Sequence, residues 1–318
     1  MGFARRSHAG GTACQGKGES ADGGCATPSR CGSRLMKIGA IATHNVHFVR
    51  PGDSFDRAIT LMEEHGFHHL PVVEDGCVVG MVSDRDLLLA VGWKMEYQRR
   101  IDGHRNEVAG PRCVGQVMSH PVVTVSPEDS VHHAAEVMME RSISALPILS
   151  GQRLVGIVTK IGLLRLLCEM YPRPQGVDML SEPVSAHMRA SVLTVGPKDP
   201  LHTAARIMHD RHVRHLPVAT LGMLVGIISD RDVRRACGRE IIEDEQAEAQ
   251  GRMYATAARV MDVMTHRVYT AEPTESLHEA ARRMLAQNVG ALPVCTGEQL
   301  VGIITHTDIL RLIAKSPL

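Results

Sequence analysis

Hydrophobic positions in this chain follow two alternating rhythms. Arg214-His215-Leu216-Pro217-Val218 leads through a short polar turn into Leu224-Val225-Gly226-Ile227-Ile228-Ser229, and the step Asp230-Arg231-Asp232 follows. A continuous aliphatic run bounded by Gly and closed by polar residues predicts a parallel or central strand, buried on both faces. The unit recurs: Leu70-Pro71-Val72 precedes Gly80-Met81-Val82-Ser83, Leu146-Pro147-Ile148 precedes Gly156-Ile157-Val158-Thr159, and Leu292-Pro293-Val294 precedes Gly302-Ile303-Ile304-Thr305. Upstream of each hairpin the rhythm changes to four, with Ala58 and Met62, Ala134 and Met138, Ala204 and Met208, Ala280 and Met284 on one helical face.

One proline serves as a ruler for the repeats. Pro51, Pro127, Pro197 and Pro273 stand 76, 70 and 76 residues apart, and the Leu-Pro and Gly landmarks keep the same spacing. Self-similarity at a fixed period marks a repeat protein. Asp53, Asp129 and Asp199 are candidate N-caps of the helix after the ruler, with Pro200 at a first helical position. Before the ruler lies a short apolar run, as in Val122 to Val125 and Val192 to Val195, and closing helices begin near Asp84, Lys160, Asp230 and His306. Each repeat is therefore predicted as strand, helix, strand, strand, helix, an α/β (α+β) unit occurring four times. The rhythm pairs the repeats into a first module, residues 36–176 (repeats at about 38–92 and 113–171), and a second, 177–318 (repeats at about 183–238 and 257–315). Charged connectors, 93–112 and 239–252, join the repeats inside each module.

Composition narrows the function. Thirty-five basic residues balance 35 acidic ones, so no global field favours nucleic acid or an anionic membrane, and anion binding must be local. Aromatic residues make up only 3%, too few for a base-stacking platform. Eight cysteines occur without the short paired spacing of zinc or redox sites; buried free thiols and a reducing cytoplasm are expected. No apolar run reaches the 18 residues of a membrane span. Residues 1–35, with eight Gly and three Cys, are expected to be a disordered tail, leaving Met36 as a natural start for the folded part. His132, His202 and His278 recur early in the first helices, where an exposed polar face is expected.

The Leu-Pro-Val, Val-Gly-Ile-Ile-Ser/Thr and Ser/Thr-x-x-Asp elements, with Val117-Met118-Ser119 and Val263-Met264-Thr265 leading in, resemble the cystathionine β-synthase (CBS) domain. Four copies are similar to two Bateman modules over about residues 38–315. The resemblance implies paired repeats whose clefts bind adenosine-containing ligands: AMP, ADP, ATP, S-adenosylmethionine or a dinucleotide. It assigns ribose contacts to Ser83 with Asp86, Ser229 with Asp232, and Thr305 with Asp308. Bidentate acceptance of a vicinal diol suits a carboxylate, and a helix N-terminus offers N–H groups to phosphate. A helix cap explains each single Asp equally well. Phosphate contacts fall on His68, His69, Arg214 and His215, with Arg85 and Arg231 adding charge, and adenine walls on Met81, Val213, Ile227, Val289 and Ile303, where core packing is the alternative.

Repeat two departs from the pattern, with Gly162 for the Asp and Ser144-Ala145 for the basic pair; repeat four has Gly290-Ala291 there. At most three tight sites are expected, that of Arg214, Ser229 and Asp232 the best equipped. The function implied is a ligand-sensing regulator acting on an unnamed protein, with a homodimer through the module helices as a further association and no catalytic cofactor or metal. Enzyme and nucleic-acid regulator are disfavoured, because the repeats leave no room for a catalytic domain or a helix-turn-helix.

Overall fold

Four antiparallel hairpins carry the repeats: β1 (His69–Glu74) with β2 (Cys77–Ser83), β3 (Ala145–Ser150) with β4 (Arg153–Thr159), β5 (His215–Thr220) with β6 (Met223–Ser229), and β7 (Ala291–Thr296) with β8 (Gln299–Thr305). The computed structural model describes residues 36–88, 90, 112–170, 180–237 and 258–314, all within the compact unit Leu35–Leu318; the tail, nearly all of the first connector and the whole of the second lie outside the described residues. Strand order is β1-β2-β4-β3 in one sheet and β5-β6-β8-β7 in the other. The Gly-containing strands are thus central, as the sequence predicts, but antiparallel, because each turns back on its own Leu-Pro strand through a tight turn. Burial is also one-sided at first: Met223 and Val225 are exposed, and β6 becomes buried only from Gly226.

The strand expected before each ruler contracts to a single parallel bridge: Val49 to Val72, Val125 to Ile148, Val195 to Val218, Ala271 to Val294. Proline explains where it attaches. Pro71, Pro147, Pro217 and Pro293 lie on outer strands, where a missing N–H breaks no central ladder. Each still offers a carbonyl, which accepts from Val49, Val125, Val195 or Ala271 at 2.9–3.2 Å.

Helices are α1 (Phe55–His65), α2 (from 84, described to 88), α3 (Val131–Glu140), α4 (Lys160–Met170), α5 (Leu201–Asp210), α6 (Asp230–Cys237), α7 (Val260–Val263), α8 (Leu277–Ala286) and α9 (His306–Ile313). The expected Ala and Met stripe is buried in all four repeats. The caps, however, sit one residue later than expected. Ser54, Ser130 and Ser276 accept the first-turn N–H groups, and Pro200 is itself the N-cap. Asp53, Asp129 and Asp199 instead accept from the backbone N–H three residues back, at 2.8, 2.7 and 2.7 Å. A short carboxylate on the ruler turn reaches that nearer donor first, closing the turn rather than starting the helix.

Within a module the repeats exchange their lead-ins. Ile38 packs into the core of repeat two, and Val114 with Met118 into that of repeat one; Val184 and Val260 make the same exchange in the second module. This exchange gives the strand glycines their reason. A Cβ on Gly80 would lie 2.3 Å from Met118 Sδ, on Gly226 2.6 Å from Met264 Sδ, and on Gly302 2.4 Å from Met188 Sδ. Repeats two and four share one apolar core through α3, α4, α8 and α9, whereas repeats one and three each keep their own.

Candidate functional site

Where the four repeats converge lies a cavity of about 930 Å³. The end of each central strand delivers one side chain to this region: Asp84, Lys160, Asp230 and His306 each follow the terminal Ser or Thr, with the backbone N–H tied to the segment before the repeat's own Leu-Pro step (His68, Ser144, Arg214 and Gly290 carbonyls). Among the described residues, eight cationic side chains line the cavity (Arg85, Lys160, Arg165, Arg189, Arg214, Arg231, Arg234, Arg311) against one carboxylate, that of Asp230. Cations gathered in a recess with low-dielectric walls focus a positive field.

Between repeats one and three the charges cross in pairs. Arg231 Nε meets Asp84 Oδ2 at 2.6 Å, and Arg85 Nε lies 2.8 Å from Asp230 Oδ2, its N–H not aligned for a hydrogen bond. His68 Nδ1 adds a 3.2 Å contact to Asp84, and Arg234 a 2.7 Å bond to Asp230 Oδ1. Burial alone would raise the Asp84 carboxyl, but His68 and Arg231 outweigh it and hold the group well below the usual carboxylate range. Arg85 and Arg231 do reach the cavity, then, but engaged with the opposite module.

Other groups there are desolvated. Burial pushes His69, His215 and His306 down to about 4 each, helped at His215 by Arg85 and at His306 by Lys160. Lys160, 9% exposed, falls to about 8 through burial and then through the charges of Arg214 and Arg85. Arg214 leaves its own repeat altogether: Nη1 donates to Ser144 Oγ (3.3 Å) and Nη2 to the Ser142 carbonyl (3.2 Å), both in repeat two.

Of the residues singled out in the sequence, the cavity gathers His68, His69, Arg85, Val213, Arg214, His215, Arg231, Val289, Ile303 and Thr305. Ser83, Asp86, Met81, Ile227, Ser229, Asp232 and Asp308 stand outside its lining. Each of the three carboxylates closes a turn on its own helix: Oδ2 accepts from the hydroxyl and backbone N–H of Ser83 (2.7 and 2.8 Å), Ser229 (2.6 and 2.9 Å) or Thr305 (2.7 and 3.0 Å). Oδ1 separates them. Among the described residues it has no partner in Asp86 or Asp232, whereas in Asp308, 2% exposed, it faces Arg311 at 3.1 Å and Arg189 at 3.6 Å.

Sequence reasoning did not assign Lys160, Arg165, Arg189, Arg234, His306 or Arg311 to the site. For Lys160 and His306 a signal existed, since they occupy the repeat position of Asp84 and Asp230 with a basic side chain in place of an acidic one. The histidines of the first helices also differ from expectation. His278 is buried at 3%, and His132 Nδ1 contacts the Ile313 carbonyl at 3.0 Å, because this helical turn packs between repeats two and four rather than facing solvent.

The CBS domain profile matches residues 38–92, 114–169, 184–239 and 260–315. Over 287 residues the chain is 27% identical to protein MJ1225 of Methanocaldococcus jannaschii, spanning 88% of this chain and 99% of that one. A crystal structure of that protein, described there as a candidate archaeal homologue of g-AMPK, superposes with a TM-score of 0.68 at 25% identity over 88% of this chain and 100% of the other. Human 5'-AMP-activated protein kinase subunit gamma-3 is 27% identical over 204 residues, 62% of this chain and 41% of that protein.

Proposed function

The chain belongs to the CBS domain family, and from that premise we propose that it is a regulatory protein that binds adenosine-containing nucleotides and passes its occupied state to a partner protein. The observation that carries this reading is the cationic cavity at the junction of all four repeats, with Asp86 and Asp232 beside it each retaining a carboxylate oxygen that no described residue uses. In this reading the ribose hydroxyls go to those oxygens, and the phosphate goes to the cavity cations. Similarity to a kinase subunit whose name includes activation by AMP supports the choice of an adenine ligand. No helix among the described residues is long and apolar enough to cross a membrane, and no group of His, Cys, Asp and Glu among them could hold a metal. Melting curves with AMP, ADP, ATP and S-adenosylmethionine, against cytidine nucleotides at equal concentration, test the proposal. An adenine-specific rise of about 2.7 kcal/mol at a hundred times the dissociation constant is expected; no rise with any adenosine compound removes it.

A further inference from the structure

The repeat that has lost its ribose carboxylate is also the one with the most deeply buried cation. Lys160 is 9% exposed, lines the cavity, and is acted on by Arg214 and Arg85. Among the described residues nothing hydrogen-bonds or ion-pairs with its ammonium. Burial of the side chain disfavours its charge, and two guanidiniums nearby add to that, although the ammonium itself still reaches the cavity. Around it stand polar groups already oriented: Arg214 held by Ser144 Oγ and the Ser142 carbonyl, and Thr159, whose Oγ1 accepts from the Gly162 N–H at 3.0 Å. Of the other cavity arginines, Arg85, Arg231 and Arg234 face Asp84 or Asp230, and Arg189 and Arg311 face Asp308; Arg165, also of repeat two and more exposed than Lys160, faces no carboxylate among the described residues.

We propose that repeat two is a site for a sugar-free phosphate, orthophosphate or pyrophosphate, held by Lys160 and Arg214 with the Ser144 and Thr159 hydroxyls. Gly162 fits the assignment, because where other repeats place a carboxylate this one leaves no negative charge to repel an anion and no acceptor for a ribose. Burial, Arg214 and Arg85 lower the Lys160 basicity, and an anion beside the ammonium would act in the opposite direction. The proposal shares the cavity with the nucleotide reading, but the two are separable: phosphate binding without adenine-specific stabilisation supports only this proposal, and adenine-specific stabilisation without phosphate binding supports only that reading.

The test uses the full chain in phosphate-free buffer, with orthophosphate and pyrophosphate as probes, by calorimetry and by melting temperature. Wild-type protein is expected to bind one phosphate, with an affinity that changes less than about threefold when AMP is saturating. Lys160→Met is expected to weaken that affinity by roughly 10- to 100-fold, the range for a charge-assisted bond, and to melt slightly higher than wild type without ligand, since it removes a cation that partial burial and two guanidiniums disfavour. Arg214→Met should weaken phosphate similarly, and Asp232→Ala should leave it unchanged. Full phosphate affinity in Lys160→Met, or its loss in Asp232→Ala, overturns the proposal. So does one-for-one displacement of phosphate by AMP, which would make these cations the seat of a nucleotide's own phosphate. Equal stabilisation by chloride at matched ionic strength would reduce the effect to screening and overturn it too.

Discussion

Asp308 and Asp232 occupy the same place in their repeats, yet their alanine variants should behave oppositely. In Asp232 one oxygen caps α6 through Ser229, and the second has no described partner. Removing the carboxylate sacrifices a cap, about 1 kcal/mol of stability, and a charge-assisted ribose contact of about 1.5–3 kcal/mol, which is roughly 10- to 100-fold in affinity. Asp308 has no such oxygen to give, because Thr305 takes Oδ2, and Arg311 and Arg189 take Oδ1. Breaking a buried charge pair costs about 3–5 kcal/mol; here the arginines are 41% and 53% exposed, so water recovers part of that and about 2–3 kcal/mol is expected. Calorimetric titration with AMP in phosphate-free buffer should therefore show two nucleotide events in the wild type. Asp232→Ala and Asp86→Ala should each lose one, and Asp308→Ala should keep both while melting lower. A third tight event in the wild type, or an event lost in Asp308→Ala without a change in melting, would refute the argument that a committed carboxylate cannot serve a ribose.

The crossed ion pairs predict that Arg231→Ala destabilises the chain by about 1–2 kcal/mol, discounted for an arginine side chain 34% exposed; a double-mutant cycle with Asp84→Asn that shows no coupling would contradict the pairing. Acid should destabilise the protein through its partly buried, desolvated histidines. His69, His215 and His306 titrate near 4 when folded and near 6.5 when unfolded, so the unfolded chain takes up their protons first; their stabilisation is complete above pH 6.5 and lost toward pH 4, by about 3 kcal/mol each. A melting temperature flat across that window, or unchanged in slope by His215→Gln, would count against it. Gly226→Ala sets a Cβ 2.6 Å from Met264 Sδ and 3.2 Å from the Thr265 carbonyl, and an overpacking loss of about 1–3 kcal/mol is expected in urea titration, partly restored by Met264→Ala. Equal stability of Gly226→Ala and wild type would disprove the lead-in contact.

Periodicity made the Ala and Met stripe and the hairpins legible, because a helical face and an aliphatic run are local patterns whose meaning survives any docking. The strand glycines were visible as landmarks, but not their cause: Met118 belongs to the lead-in of the following repeat, and a contact made by exchange leaves no local trace around Gly80. Arg85 and Arg231 were legible as cleft charges. Their partners were not, since repetition predicts what each unit looks like and says nothing of how units one and three meet. The Asp caps were misplaced by one residue because two carboxylate acceptor roles, closing the ruler turn and starting the helix, compete within four residues.

Lys160 and His306 show why departures from a repeat repay attention. Read alone, each looks like loss of an acidic helix start; read across the molecule, the position after the central strand is acidic in repeats one and three and basic in two and four. The alternation coincides with how the repeats meet. Those with Asp there join through crossed ion pairs, while those without it share a continuous apolar core. An anion entering the cavity thus meets two kinds of cation. Arg85 and Arg231 already satisfy Asp230 and Asp84, and any bond they give an anion is offset by weakening those pairs. Among the described residues Lys160 has no carboxylate partner, and Arg214, though attracted by Asp230, bonds only to Ser144 and Ser142, so an anion gains most where the acidic residue has been replaced. The seemingly degenerate repeat then holds the cavity's strongest unspent attraction for phosphate.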